Sequence, residues 1–420
     1  MIQTSMQPAR PEQGARQAWL GLERVRLYSA AFLVLFVLLL ATWAWHSKGF
    51  TDSNVTRPGV DFSVFWSASY LALSEGPVHA YDIAKHLEVM REYGAQGVGS
   101  ETVLPWLYPP TFLLMVLPLA LLPLAFSYVL FVFGSGYAYL CTVSCLLNAG
   151  APARSGWWVP VVSAPAVLLA AILGQNSLLT AALAGSAVGQ LGKRPVLAGV
   201  LVGLLAIKPQ LALLLPVAMA AGRHWRALMS AAATAALFFA TSVAVCGWET
   251  IPAFLQSLAW ARENLIEGTI QGWYGMPSVL SAAQLAGLRP TAAYAAQALC
   301  GLGAVLAVAY VWSHTIETPL RAAVLAAATL LAAPYVRHYE LTWMGIAVAG
   351  LIADGLRHGL SSKERLLFVA VWLLPLFEHA NPQLQMPQIG PLLSALLVID
   401  VMWRVMSRPA VPTAPATVRD

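Results

Sequence analysis

The chain predicts an all-α polytopic membrane protein, and three observations carry that prediction. Of its 420 residues, 59% are hydrophobic and only 10% charged, against roughly 25% charged in a soluble domain. Apolar runs near the length of a bilayer crossing recur from Leu27 to Met406, so lipid is part of the solvent for almost the whole chain. The 24 Lys and Arg against 19 Asp and Glu leave a formal charge of +5. These basic residues sit between the apolar runs instead of forming a patch, so they set orientation and no nucleic-acid partner is expected.

Met1 to Arg26 is polar and places Arg10, Arg16, Arg24 and Arg26 before the apolar run Leu27–Trp45. That is an anchor entered from the cytoplasm: Trp43, Trp45 and His46 stand where a cleaved signal peptide needs small residues. From 46 to 107 the chain turns polar and is broken by Pro58, Gly59, Gly76, Pro77, Gly94, Gly97 and Gly99, making this the largest loop. Within it, Val78–Tyr93 spaces Ile83, Leu87 and Met90 among Asp82, Lys85, Glu88 and Arg91, as an amphipathic helix resting on the membrane interface does.

After Tyr108-Pro109-Pro110, apolar spans fall at about 157–173, 176–190, 195–207, 210–222, 225–246, 291–312, 320–334, 338–354, 365–378 and 389–406,. Several are short and cross only by borrowing flanking residues or by joining at bends buried in protein. Pro118 and Pro123 divide 111–147 into a run too long for one helix and short for two. If it crosses an odd number of times, 16 Lys and Arg lie on the side of the N-terminus and 8 on the other, with 7 and 12 Asp and Glu respectively. The positive-inside rule then gives about 12 spans, both termini cytoplasmic and the loop 46–107 outside. The expected organisation is a cytoplasmic tail 1–26, a membrane domain 27–406 and a second tail 407–420.

Cys141, Cys145, Cys246 and Cys300 lie in or beside apolar runs without metal spacing and read as small buried apolar residues. No G-x-x-x-x-G-K-S/T, G-x-G-x-x-G or G-x-S-x-G stands in a strand-turn-helix context, so energy from a bound nucleotide is not expected.

On this topology the unusual polar residues gather at the outer ends of the spans: Asp61, Tyr108, Gln175, Asn176, Lys208, Glu263, Arg337, His338 and Glu340. Gln175-Asn176 after Gly174 reads as a helix-helix turn. Lys208 interrupts nearly thirty apolar residues, and a charge at the bilayer centre costs roughly 2.5–3.5 kcal/mol. Snorkelling to the headgroups or an anionic ligand would each compensate it. Pro334-Tyr335-Val336-Arg337-His338-Tyr339-Glu340 holds more charge than a turn needs, although an internal Arg337–Glu340 pair is a sufficient structural reason. Asp61 precedes a helix expected from Phe62, whose first-turn N–H groups its carboxylate would cap.

An Asp-Phe-x-Val-Phe-Trp start at Asp61, Tyr108-Pro109-Pro110, Gly174-Gln175-Asn176, Lys208-Pro209-Gln210 and Pro334-Tyr335-x-x-His338-Tyr339-Glu340, in that order, together resemble glycosyltransferase family 87. The resemblance runs from about Asp61 to Glu340. It implies a GT-C-like bundle with a long first outer loop carrying short amphipathic helices. It also implies transfer of a hexose, mannose favoured, from a polyprenyl-phosphate donor to a hydroxyl on a glycolipid or glycan acceptor at the outer face of the cell membrane. Carried onto this chain, the family pattern makes Asp61 the catalytic base and Lys208, Arg337 and His338 the donor-phosphate ligands. Tyr108, Gln175, Asn176, Tyr335 and Glu340 complete the substrate pocket.

Independent chemistry agrees: fixed cations ease departure of a phosphate, and a base eases attack by a hydroxyl. No cofactor is implied, and no outer carboxylates stand at metal-ligand spacing, so no metal is expected. A multi-span transporter or flippase is the competing class and predicts helices broken near the midplane with symmetry between halves; no internal repeat is visible. A non-catalytic scaffold predicts no convergence of a base with cations in one pocket.

Overall fold

The computed structural model describes residues 21–50, 57–93, 104–149, 157–268 and 270–408. Most of both expected tails, the glycines at 94, 97 and 99, and Arg154 lie outside the described residues. Among the described residues every regular element is helical.

The order is α1 (Leu22–His46), α2 (Val60–Ser74), α3 (Ile83–Glu92), α4 (Pro110–Val116), α5 (Leu124–Asn148), α6 (Trp158–Val162), α7 (Pro165–Leu173) and α8 (Ser177–Gln190). Then follow α9 (Pro195–Gly203), α10 (Pro209–Ala212), α11 (Leu214–Ala221), α12 (Trp225–Cys246), α13 (Thr250–Ala261), α14 (Ile270–Tyr274), α15 (Val279–Leu285) and α16 (Pro290–His314). The chain finishes with α17 (Thr318–Ala332), α18 (Thr342–His358), α19 (Ser362–Leu384) and α20 (Gly390–Met406).

Four of these, α1, α5, α12 and α16, are long and apolar enough to cross a membrane. They leave Leu35, Leu38, Phe133, Leu237, Leu299 and Leu306 exposed. In water such bands would be a liability, whereas in lipid they face their solvent. The run 111–147 resolves into α4 with a 3₁₀ continuation to Leu121, then α5 as a single full-length helix. Pro123 stands just before α5, where its fixed φ and missing N–H are tolerated.

In the larger apolar cluster α17, whose residues 319–331 are all buried, packs between α16, α18 and α20. Glycines let neighbours approach: a Cβ on Gly199 would lie 2.3 Å from the Ala227 carbonyl oxygen, so α9 and α12 pack almost backbone to backbone. A second cluster gathers Phe62, Phe65, Trp106 and Phe112 around α2. The expected amphipathic helix begins with a 3₁₀ turn, Pro77–Tyr81; α3 follows, capped by Asp82, whose Oδ1 accepts from the Ala84 and Lys85 N–H groups. Its buried face is His86, Val89 and Met90.

The short apolar helices join at bends. The residue before a proline is pushed out of the helical region, and Lys208, before Pro209, sits at φ −147°, ψ 69°. Ile207 and Lys208 are both buried at this bend, so the irregular backbone is enclosed by protein.

Candidate active site

Asp61 is positioned by a junction between α2 and α7. Gly59 adopts φ +81° and Gly174 φ +73°, values glycine takes without steric cost. The Gly59 N–H donates to the Ile172 carbonyl at 2.6 Å. Tyr128 lies against both glycines, 3.0 Å from where either Cβ would stand, and its hydroxyl donates to the Ala171 carbonyl at 2.8 Å. The start of α2 is thereby tied to the turn that carries Gln175 and Asn176.

The helix starts at Val60 with Gly59 as its cap, and no side chain caps it. The expected capping role of Asp61 is thus absent. Asp61 lies in the first turn and Gln175 Nε2 donates to its Oδ2 at 2.7 Å. Burial pushes the Asp61 carboxyl above its ordinary value of 3.8, while the Gln175 hydrogen bond and then the charges of Arg337 and Lys208 oppose the rise. A carboxylate lifted in this way is a stronger proton acceptor.

Gln175 and Asn176 do more than turn the chain. Gly174 supplies the left-handed residue, and the two side chains point to different partners. Tyr108 Oη lies 3.4 Å from Gln175 Oε1, on the Asp61 side. Asn176 Oδ1 accepts from Lys208 Nζ at 3.0 Å.

Lys208 neither snorkels nor stands free. It is 4% exposed, and its Nζ lies 2.7 Å from Oε1 of Glu340, itself 1% exposed. The rings of Tyr108 and Tyr339 each lie 5.6 Å from the ammonium, centroid to nitrogen, favourable for a desolvated cation. The expected Arg337–Glu340 side-chain pair is replaced by this contact. Glu340 Oε2 instead accepts from the backbone N–H of Arg337 at 2.9 Å. The reason is local: residues 338–341 form a 3₁₀ turn that folds Glu340 back onto the preceding backbone and leaves its other oxygen for Lys208.

The Arg337 guanidinium has no carboxylate partner among the described residues. Its charge acts on Asp61, Tyr335 and Glu340, and its Nη1 would lie 3.0 Å from a Cβ on Gly275. His338 is buried, and its Nε2 lies 3.3 Å from Nδ1 of His379 on α19. Tyr335 is half-buried beside Arg337. Glu263 is exposed on the π-helical turn after α13. Among the described residues no three His, Cys, Asp or Glu side chains come together as metal ligands.

Sequence reading placed Tyr339 in the 334–340 motif without a role and missed His379. A signal existed for His379, because Glu378-His379 places polar groups in the apolar helix α19, the same anomaly that drew attention to Lys208.

The family model for glycosyltransferase family 87 matches residues 106–334, more than half of the chain. No curated protein and no solved structure matches it. With its lipid-facing helices and this match, the chain belongs to glycosyltransferase family 87 and is a membrane glycosyltransferase.

Proposed function

We propose that the protein moves a hexose, mannose favoured, from a polyprenyl-phosphate donor to a hydroxyl of a glycolipid or glycan at the outer face of the cell membrane. The observation that carries this reading is a polarised cluster of side chains. The Asp61 carboxylate is held by Gln175 at 2.7 Å, and it feels the charges of Arg337 and Lys208.

In the reaction the acceptor hydroxyl gives its proton to Asp61, and its oxygen bonds to the anomeric carbon. The bond from that carbon to the phosphate oxygen breaks, and its electron pair stays on the departing polyprenyl phosphate. Arg337, whose planar fork suits phosphate oxygens, and His338 receive the growing charge. Lys208 is engaged by Glu340 and Asn176, so we assign it a supporting place behind the phosphate site rather than contact with the phosphate. Tyr108, Tyr335, Gln175 and Asn176 line the pocket.

The membrane arrangement belongs to the same proposal: about 12 spans from 27 to 406, cytoplasmic tails 1–26 and 407–420, and the loop 46–107 outside. A single cysteine at Ser100 in a cysteine-free variant is expected to react with an impermeant thiol reagent in intact cells; labelling only after lysis overturns the topology. Membranes containing the protein, given a panel of labelled polyprenyl-phosphate sugars, are expected to yield a labelled product with one of them. No transfer from any lipid-linked sugar, with transfer from a nucleotide sugar, overturns the donor assignment.

A further inference from the structure

Of the cations proposed for the phosphate, Arg337 alone has no carboxylate partner among the described residues, because Lys208 is held by Glu340 and Asn176. One guanidinium is a thin provision for a phosphodiester that gains charge as it leaves. The outer end of α19 offers the missing donor. His379 Nδ1 lies 3.3 Å from His338 Nε2, with the ring centroids 4.8 Å apart and the planes at 64°. His338 is buried and His379 exposed, so the pair runs from the interior of the protein to its surface. Arg337 is adjacent: its charge acts on both rings. Pro382, one turn beyond His379, borders the space beside Gly275 into which Arg337 Nη1 reaches.

The chemistry of the pair is defined by the shared contact. Two neutral imidazoles facing each other through one nitrogen apiece place a proton on one of them, and each ring carries one N–H. Whichever ring donates, the other keeps an N–H directed away from the contact. The outward N–H is on His379 Nε2 when His338 Nε2–H donates into the contact, and on His338 when His379 donates.

We propose that His379 completes an anion-binding triad in which His338 Nε2–H donates to His379 Nδ1 and so sets its tautomer, while His379 Nε2–H, together with Arg337, takes an oxygen of the donor's phosphate. The inference rests on the phosphate-donor reading above and deepens it by naming a ligand on a helix beyond the family match.

The test uses full-length protein in detergent, with decyl phosphate as probe and decanol as its uncharged control. His379→Ala is expected to weaken decyl phosphate binding about tenfold, the size of one hydrogen bond to a charged group, and to leave decanol binding unchanged. His379→Phe keeps a ring without nitrogens and is expected to show the same loss, which guards against misfolding of the alanine variant. His379→Gln restores an N–H donor and is expected to recover most of the affinity. Wild-type affinity for decyl phosphate in His379→Ala and His379→Phe, or an equal loss for decanol, overturns the triad. A wild-type protein that binds decyl phosphate no better than decanol overturns the phosphate-donor reading itself.

Discussion

Replacing Lys208 by Met separates a buried strut from a substrate ligand. Lys208 and Glu340 are 4% and 1% exposed, and their charged atoms lie 2.7 Å apart, so water does little to screen the pair. Met removes the cation and leaves Glu340 with only the Arg337 N–H at 2.9 Å and Asn176 Oδ1 without its donor. Breaking one side of a buried pair costs about 3–5 kcal/mol because the other charge stays buried and unpaired. Lys208→Met is therefore expected to unfold at distinctly lower temperature in detergent. Adding Glu340→Gln removes the orphaned charge, keeps an acceptor for the Arg337 N–H, and is expected to return most of that loss, since contacting residues couple by about 0.5–3 kcal/mol. The assay is thermal unfolding of the two single variants and the double variant, with donor KM measured on each. A Lys208→Met protein as stable as wild type but with a raised donor KM would refute the strut and make Lys208 a phosphate ligand. A double variant no more stable than Lys208→Met would show that the pair is not the source of the loss.

Asp61→Asn keeps an acceptor for Gln175 and is expected to fold normally while losing roughly 10²–10⁴ in transfer rate; normal turnover by the inserted variant rules out the base. If Asp61 is the base proposed above, its ionised form accepts the proton, so wild-type transfer should rise with pH through a midpoint above 3.8, because burial raises the Asp61 carboxyl, and a profile without such an acid limb contradicts the proposal. Between the ordinary and the raised value the folded protein holds a proton that the unfolded chain has lost, so the contribution of Asp61 to stability should fall as pH climbs through that window. Gly174→Ala puts a Cβ 2.5 Å from that of Phe62 at φ +73°; reduced thermal stability and reduced transfer together are expected, and an unaffected enzyme argues against the junction. Arg337→Ala should raise donor KM far more than acceptor KM, and a variant with normal donor dependence removes Arg337 from the phosphate site.

Much of the architecture was legible because hydropathy has a long period and few competing causes. The run Leu27–Trp45 lies within α1, and the polar break at Lys208 is the bend between short helices. The site was legible in composition and illegible in pairing. Gly174-Gln175-Asn176 announced a turn, and turn chemistry accounts for the backbone alone; that Gln175 reaches Asp61 while Asn176 reaches Lys208 depends on α2 and the Lys208 bend arriving from distant parts of the chain. Arg337 and Glu340 looked like partners because they are three residues apart. That spacing brings side chains together on an α-helix, whereas Arg337 stands before the turn in extended backbone, φ −112° and ψ 160°, and Glu340 folds back onto its N–H. His379 carried a compositional signal, polar groups in an apolar helix, but its distance from every motif left its partner His338 illegible.

The family match covers only part of the candidate site. Residues 106–334 take in Tyr108, Gln175, Asn176 and Lys208 but begin after Asp61 and stop before Tyr335. The matched stretch therefore contains neither the proposed base nor the proposed phosphate ligands. What it contains is the pair of side chains to which the outlying groups are fastened: Gln175 holds Asp61 from one direction, and Lys208 holds Glu340, three residues after Arg337, from the other. Asn176 joins the two halves, being adjacent to Gln175 in the chain and bonded to Lys208 in space. A shift of Asn176 would thus disturb the base and the phosphate site together. Asn176→Ala is expected to reduce transfer with both substrates affected, as measured by donor and acceptor KM. A change confined to one substrate would mean that the two halves of the pocket are held independently.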